Sequence, residues 1–191
     1  MKKFAGAYSL AEMLIVLTLM AILVCLAIPA LQQTIARQNN LLRYLQLKSA
    51  IKYAQEEAIR RMLPIVICPA NYNSKGVLIG CLGHENTYCQ GWSCGVLAYI
   101  DFERSGSYAA HGSGNLRINA TRFDPEIAIS ASSAGLPVKQ LLIAADGLIG
   151  DSYNGSSWVF QLSESKFKHR SINYLYLNRY GVFCQGGTTR C

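Results

Sequence analysis

Lys2–Leu31 reads KKFAGAYSLAEMLIVLTLMAILVCLAIPAL, and the fold of the whole chain turns on what this stretch is. Its nineteen residues from Met13 to Leu31 are apolar apart from Thr18. As a helix rising about 1.5 Å per residue they reach roughly 28 Å, close to the hydrocarbon thickness of a bilayer. Lys2 and Lys3 precede the run. Such positive charge is kept on the cytoplasmic side, which puts the bulk of the chain beyond the inner membrane. A cleaved secretory signal would have an apolar centre of roughly 7–15 residues and a small-x-small site. CLAIPALQQ has Ile28 where the second small residue should stand, and Val24 occupies the position before Cys25 that a lipoprotein signal keeps small. Neither alternative accounts for Glu12 at the entrance of the run. A carboxylate costs about 2.5–3.5 kcal/mol at the centre of a membrane helix and less at its edge, so it calls for a partner.

A short basic leader ending in a small residue, then aromatic-Ser-Leu-x-Glu, then an unbroken apolar helix, resembles the class III signal of type IV pilins and pseudopilins. The resemblance implies that a prepilin peptidase cuts between Ala7 and Tyr8 and methylates the new amine of Tyr8. Glu12 then becomes the fifth mature residue. Its implied partner is the terminal amine of a neighbouring subunit during assembly, a carboxylate and an ammonium that each need the other once buried. Pro29 sits where pilins carry a helix-kinking proline, which removes one backbone donor. The family's usual Gly before the cut and Phe after it are here Ala7 and Tyr8. A cut after Gly6 would move Glu12 out of fifth place.

Beyond Pro29 the chain has no Gly or Pro until Pro64. Leu41, Tyr44, Leu47, Ile51, Ala54, Ala58 and Met62 fall at helical spacing, a stripe suited to packing on a sheet, and charges take the other faces. One helix is expected from about Ser9 to Met62. After Pro64 the pattern changes to short apolar or alternating runs: PIVIC, GVLAYIDF, LRINATRF, EIAISAS, VKQLLIAADGLI, SSWVFQLS and INYLYLNRYGVFC. Gly, Ser, Asn and Asp clusters separate them, with turn signals at Asp146-Gly147 and Asn154-Gly155. The expected fold class is α+β: a long N-terminal helix, transmembrane in its first half, packed through its second half on a pilin-like C-terminal antiparallel β-sheet domain, with two small sheets. The expected divisions are a leader at 1–7, a membrane half at 8–31, an amphipathic half at 32–63 and a disulfide-braced β domain at 64–191.

GWSCGVLAYIDFERSG, Gly91 to Gly106, resembles the Gly-Trp-x-x-Gly, apolar strand, Asp, Gly-turn segment of the minor pilins FimT and FimU and the pseudopilin GspH. Trp92 is also the kind of residue that simply fills a core corner. Of seven cysteines, Cys25 lies in the apolar run, and the other six are Cys68, Cys81, Cys89, Cys94, Cys184 and Cys191. An even number beyond the membrane suggests three disulfides out of fifteen possible pairings. Cys184–Cys191, closing a small C-terminal loop, is the first expectation; Cys68–Cys81 and Cys89–Cys94 follow. Cys81, Cys89, Cys94 and His84 could instead supply tetrahedral zinc, but lack the C-x-x-C knuckles of common zinc modules.

Phosphate-loop and H-E-x-x-H patterns are missing, and no enzyme, cofactor or metal is expected. The formal charge is +7; losing Lys2 and Lys3 leaves about +5, a mild excess. Lys166, Lys168 and Arg170, with Arg179 and Arg190, could meet the phosphates of DNA in a weak, salt-sensitive way. FimT-like pilins are associated with DNA capture through a Gly-Arg-x-Arg motif, which NRYGVFCQGGTTRC lacks. The resemblance therefore implies a minor pilin at or near the tip of a type IV pilus, with a type II secretion pseudopilin and a DNA-binding receptor pilin as alternatives. Its implied partners are the prepilin peptidase, other minor and major pilins, and inner-membrane lipid before assembly, with the C-terminal domain in the periplasm.

Overall fold

The computed structural model describes residues 10–83, 89–111, 114–123, 127–151, 157–164 and 172–185. The chain divides into two compact units, Met1–Asn39 and Asn40–Cys191. One helix, α1 (Leu10–Arg61), contributes to each. Its first 19 residues, Leu10–Ile28, have a mean hydropathy of 2.7 and are exposed. Among the described residues this is the one helix long and apolar enough to cross a membrane. Thr18 does not disturb it, because its hydroxyl donates to Ile15 O one turn back at 2.8 Å. Cys25 is a free, exposed thiol.

In the second unit α1 lays Leu47, Ala50, Ile51, Ala54 and Ala58 into the main core, with Tyr44 half-buried beside them. Two members of the expected stripe are exposed, Leu41 at 50 % and Met62 at 81 %. Leu41 stands about 100° around the helix from the buried Asn40. Met62 lies past the last turn with φ of 53°, in the left-handed region that ends the helix.

The strands form two antiparallel sheets. The first runs β4 (Leu116–Arg122), β3 (Gly95–Ile100), β1 (Ile65–Tyr72), β7 (Leu141–Ile143) and β8 (Ile149–Asp151), with β2 (Leu78–Cys81) also paired to β1. The second runs β11 (Phe183–Gln185), β10 (Ile172–Asn178), β9 (Ser157–Glu164), β5 (Ile127–Ser133) and β6 (Leu136–Pro137). Pro69, with no N–H to donate, falls between the stretch of β1 that pairs β7 (Ile65–Ile67) and the stretch that pairs β2 (Ala70–Tyr72). The period of two gives the first sheet two buried faces. Ile65, Ile67, Val96, Ala98 and Ile100 join the core under α1, with Trp158, Phe160, Leu162, Leu175 and Leu177 from the second sheet. Val66, Cys68, Ala70, Leu97 and Tyr99 face the other way, under Leu78 and Leu82.

Gln55 ties the helix to both sheets. Its amide donates to Gly147 O in the β7–β8 turn at 2.7 Å and to Tyr180 O in the β10–β11 turn at 3.4 Å. A Cβ on Gly181 would strike the same side chain, and its φ of 76° favours glycine independently. The Asp146-Gly147 turn forms as the sequence suggests, with Asp146 accepting from Leu148 N at 3.0 Å.

Glu57 departs from the expectation that charge keeps to the outer faces, since only 5 % of it is exposed. It is neutralised within the last turn, accepting from Arg60 at 2.6 and 2.9 Å and from Arg61 at 2.6 Å. Hydrogen bonds from Arg60 and then Arg61 hold its carboxyl down to about 2 from an ordinary 4.5, against the opposing effect of burial. A depressed folded-state pKa adds stability above the unfolded value and loses it as pH falls through the folded one. Thermal melts of the chain in detergent should therefore show a fall in stability from about pH 4.5 down to about 2 that is smaller in Glu57→Gln. Equal pH slopes for the two proteins would contradict the role of this carboxylate.

Candidate functional site

The N-terminal segment and the Gly-Trp segment are the two places where the sequence points to function. Glu12 lies in the first turn of α1, where unpaired helix N–H groups favour negative charge. Pro29 falls inside α1. Ala7 and Tyr8, the expected cleavage and methylation positions, lie outside the described residues.

Gly91–Gly106 proves to be the joint between the two sheets. Gly91 takes a φ of 53° and bridges to Ile129 on β5 of the second sheet, where a Cβ would come within 2.8 Å of Ile129 O. Trp92 N donates to that same oxygen at 2.8 Å, and Ser93 Oγ accepts from Ile129 N at 3.2 Å. The Trp92 ring is fully buried, edge-on to Phe160 with centroids 5.5 Å apart, and its indole N–H reaches Val138 O at 3.0 Å. Three residues on, Gly95 opens β3 of the first sheet with φ of 142°, in contact with Thr121 O at the place a Cβ would occupy. Trp92 is thus a core and junction residue.

Asp101 closes the far end of the segment. It accepts from Gly106 N at 2.7 Å and Ser105 N at 3.1 Å. Burial alone would raise its pKa; those two N–H groups, helped by the Asn115 and Ser105 side chains, outweigh it and leave the carboxyl lowered. Asn115 holds the rest of the loop by accepting from Glu103 N at 3.0 Å and donating to Ser107 O at 3.0 Å. Next to it, Tyr99 is wholly buried, and burial, then the nearby Asp101 charge, push its hydroxyl up to about 12.

Cys68 is bonded to Cys81, and Cys89 to Cys94. Cys184 is disulfide-bonded as well; its expected partner, Cys191, lies outside the described residues. The zinc alternative falls with these bonds, because Cys81, Cys89 and Cys94 have no thiolate to offer. His84 lies outside the described residues.

The basic residues weighed for DNA are described at one position only. Arg179 stands in the β10–β11 turn, where its carbonyl accepts from Ile149 N at 2.9 Å and its side chain lines a cavity of about 350 Å³ with Leu142, Asp146 and Leu148. Lys166, Lys168, Arg170 and Arg190 lie outside the described residues. Three features escaped the sequence reading: Gln55, Glu57 and the short strand β2. Glu57 had a signal, since a Glu three and four residues before two arginines is a helical ion-pair pattern.

The sequence model of the family described as Type II transport protein GspH matches residues 45–172. The chain belongs to the GspH family. The match takes in most of the buried half of α1, the Cys68–Cys81 and Cys89–Cys94 disulfides and the Gly-Trp joint, so the family signature and the core are largely the same residues. No curated protein sequence matches. Two crystal structures of the type IV minor pilin FimU of Pseudomonas aeruginosa PAO1 are similar at 14 % identity. One covers 80 % of this chain and 93 % of FimU with a TM-score of 0.49, the other 75 % and 90 % with 0.46.

The closed loops predict an order of stability for this GspH-family domain. Cys68–Cys81 spans 13 residues and Cys89–Cys94 spans 5. Chain entropy assigns them about 3 and about 2 kcal/mol respectively. Replacing both cysteines of a pair by alanine should therefore lower the denaturation midpoint more for the first pair. The reverse ranking in non-reducing melts would show that local packing outweighs loop closure.

Proposed function

We propose that this chain is a minor pilin of a type IV pilus, a structural subunit that joins the filament at or near its tip and helps to prime assembly. The observation that carries the reading is Glu12 in the first turn of a 19-residue apolar helix, in a chain of the GspH family. Before assembly the apolar helix holds the subunit in the inner membrane. Lys2 and Lys3 on the cytoplasmic side and disulfides that need an oxidising compartment both support a periplasmic C-terminal domain. The prepilin peptidase cuts after Ala7 and methylates Tyr8. Glu12 then pairs with the terminal amine of a neighbouring pilin, and Met13–Leu31 trades lipid for helix packing in the filament. The subunit carries out no chemistry of its own; the peptidase acts upon it.

A pseudopilin of a type II secretion system is a second reading, favoured by the family description itself. The same helix and the same carboxylate would serve it. Deleting the chain separates the two, since loss of surface pili with normal secretion supports the pilus and the opposite outcome supports secretion. The DNA-binding alternative has the exposed Arg179 in its favour among the described residues, and the absent Gly-Arg-x-Arg motif against it.

Intact mass and N-terminal sequencing of the membrane-extracted protein test the processing step. A chain beginning at N-methylated Tyr8 is expected only when the peptidase is present, and a chain retaining Met1 in its presence would overturn the reading. Glu12→Val tests assembly separately: it should remain processed and membrane-bound yet be poorly recovered in sheared filaments. Normal recovery would remove the pairing role.

A further inference from the structure

Arg122 ends β4, and its side chain is held against the turn of the β1–β2 hairpin. The guanidinium lies over the Tyr72 ring, 5.6 Å from its centroid, and against Gly76, where a Cβ would run into it. Gly76 also takes a φ of 76°, so that position favours glycine on two counts. The turn itself is closed by its own hydrogen bonds. Asn73 Oδ1 accepts from Lys75 N at 3.0 Å and from Val77 N at 2.9 Å. Gly76 N donates to Asn73 O at 2.9 Å, and Asn73 N donates to Val77 O at 3.0 Å. An exposed arginine ordinarily loses much rotamer freedom when a ligand fixes it; at Arg122 the fold has already done part of that ordering.

Three cations gather at this place without a counter-charge. Lys75 in the turn, Arg122 beside it and Arg117 on the same strand as Arg122 are all exposed. Among the described residues none of the three forms an ion pair or donates a side-chain hydrogen bond. Both arginine charges reach the Tyr72 hydroxyl: burial raises its pKa, and Arg122 and then Arg117 oppose the rise. A ring contact engages none of the five guanidinium N–H donors, so the fork of Arg122 is positioned and still unsatisfied by protein.

We propose that the β1–β2 turn and the end of β4 form an anion site for a phosphate group, held by the fork of Arg122 with Lys75 and Arg117 supplying flanking charge. A planar guanidinium matches phosphate oxygens two at a time. A carboxylate would meet the same fork, but it brings a single negative charge to a place that carries three uncompensated positive ones. A phosphate monoester brings about two charges and three acceptor oxygens. That chemistry is common to a free polyphosphate and to the phosphate ester of a headgroup. The site goes beyond the assembly role of Glu12 and does not rest on it.

The test uses the full chain in micelles of a neutral detergent at low salt, titrated with inorganic pyrophosphate and, separately, with glycerol 3-phosphate, and read by phosphorus NMR line broadening. At least one of the two should bind saturably. Tighter binding of pyrophosphate assigns a free polyphosphate, and equal or tighter binding of glycerol 3-phosphate assigns an esterified phosphate. Arg122→Lys keeps the charge but loses the planar fork, and should weaken binding by about fivefold or more with an unchanged melting temperature. Gly76→Ala displaces the guanidinium and should weaken it similarly; if that variant melts early, Arg122→Lys decides. Lys139→Gln removes an exposed cation beyond β6 and should leave the affinity as it was. The proposal is overturned if neither phosphate binds, or if Arg122→Lys binds as tightly as the parent chain. It is overturned equally if Lys139→Gln weakens binding as much as Arg122→Lys does, which would show attraction to overall charge in place of a site.

Discussion

β1 carries Ile65 and Ile67 against the helix core and Val66, Cys68 and Ala70 against the β1–β2 hairpin, so neither of its faces meets water. β3 beside it is buried along its whole length. Strands in this position need two covers, and an antiparallel sheet commonly has only one. The second half of α1 and the second sheet supply the first cover. The other is thin, a four-residue strand and a loop, and two disulfides hold it down. A cover of that size has too few apolar contacts of its own to stay closed against chain entropy, which is where cross-links have their largest effect.

The joint at Gly91–Gly95 meets the same constraint from the side. Chain leaving the disulfide loop must touch the edge of the second sheet at Ile129 and then enter the middle of the first sheet. Two glycines with positive φ permit the approach, and Trp92 fills the space between. The Gly-Trp-x-x-Gly spacing is a packing requirement in this domain. That explains how a family signature can be largely structural while Glu12, the residue proposed to act in assembly, lies outside the matched 45–172.

Legibility in the sequence followed the strength of the local signal. The apolar run, the helical stripe through Leu47, Ile51, Ala54 and Ala58, and the Asp146-Gly147 turn rest on periodicity and turn chemistry, and all three are present. Leu41 was misplaced because spacing alone does not fix where a stripe is centred. β2 was missed because four residues with alternate positions exposed carry almost no pattern of their own; its pairing to Ala70–Tyr72 is a tertiary effect. Gln55 gave no sign either, as a mid-helix glutamine is a surface residue by default and its partners lie 92 and 125 residues away. The Gly-Trp segment was recognised by resemblance, whereas its purpose came from geometry.

The two mapped disulfides close loops of 13 and 5 residues, and both lie between β1 and the start of β3. Short closures need no contact between distant parts of the chain, and their entropy cost is small. The second sheet and the return to Gln55 depend on residues far downstream, from Ile127 to Tyr180. Oxidation of this face is therefore separable in time from completion of the domain. This corner can be covalently fixed before the strands that complete the core have joined it, so the domain can close from its N-terminal edge.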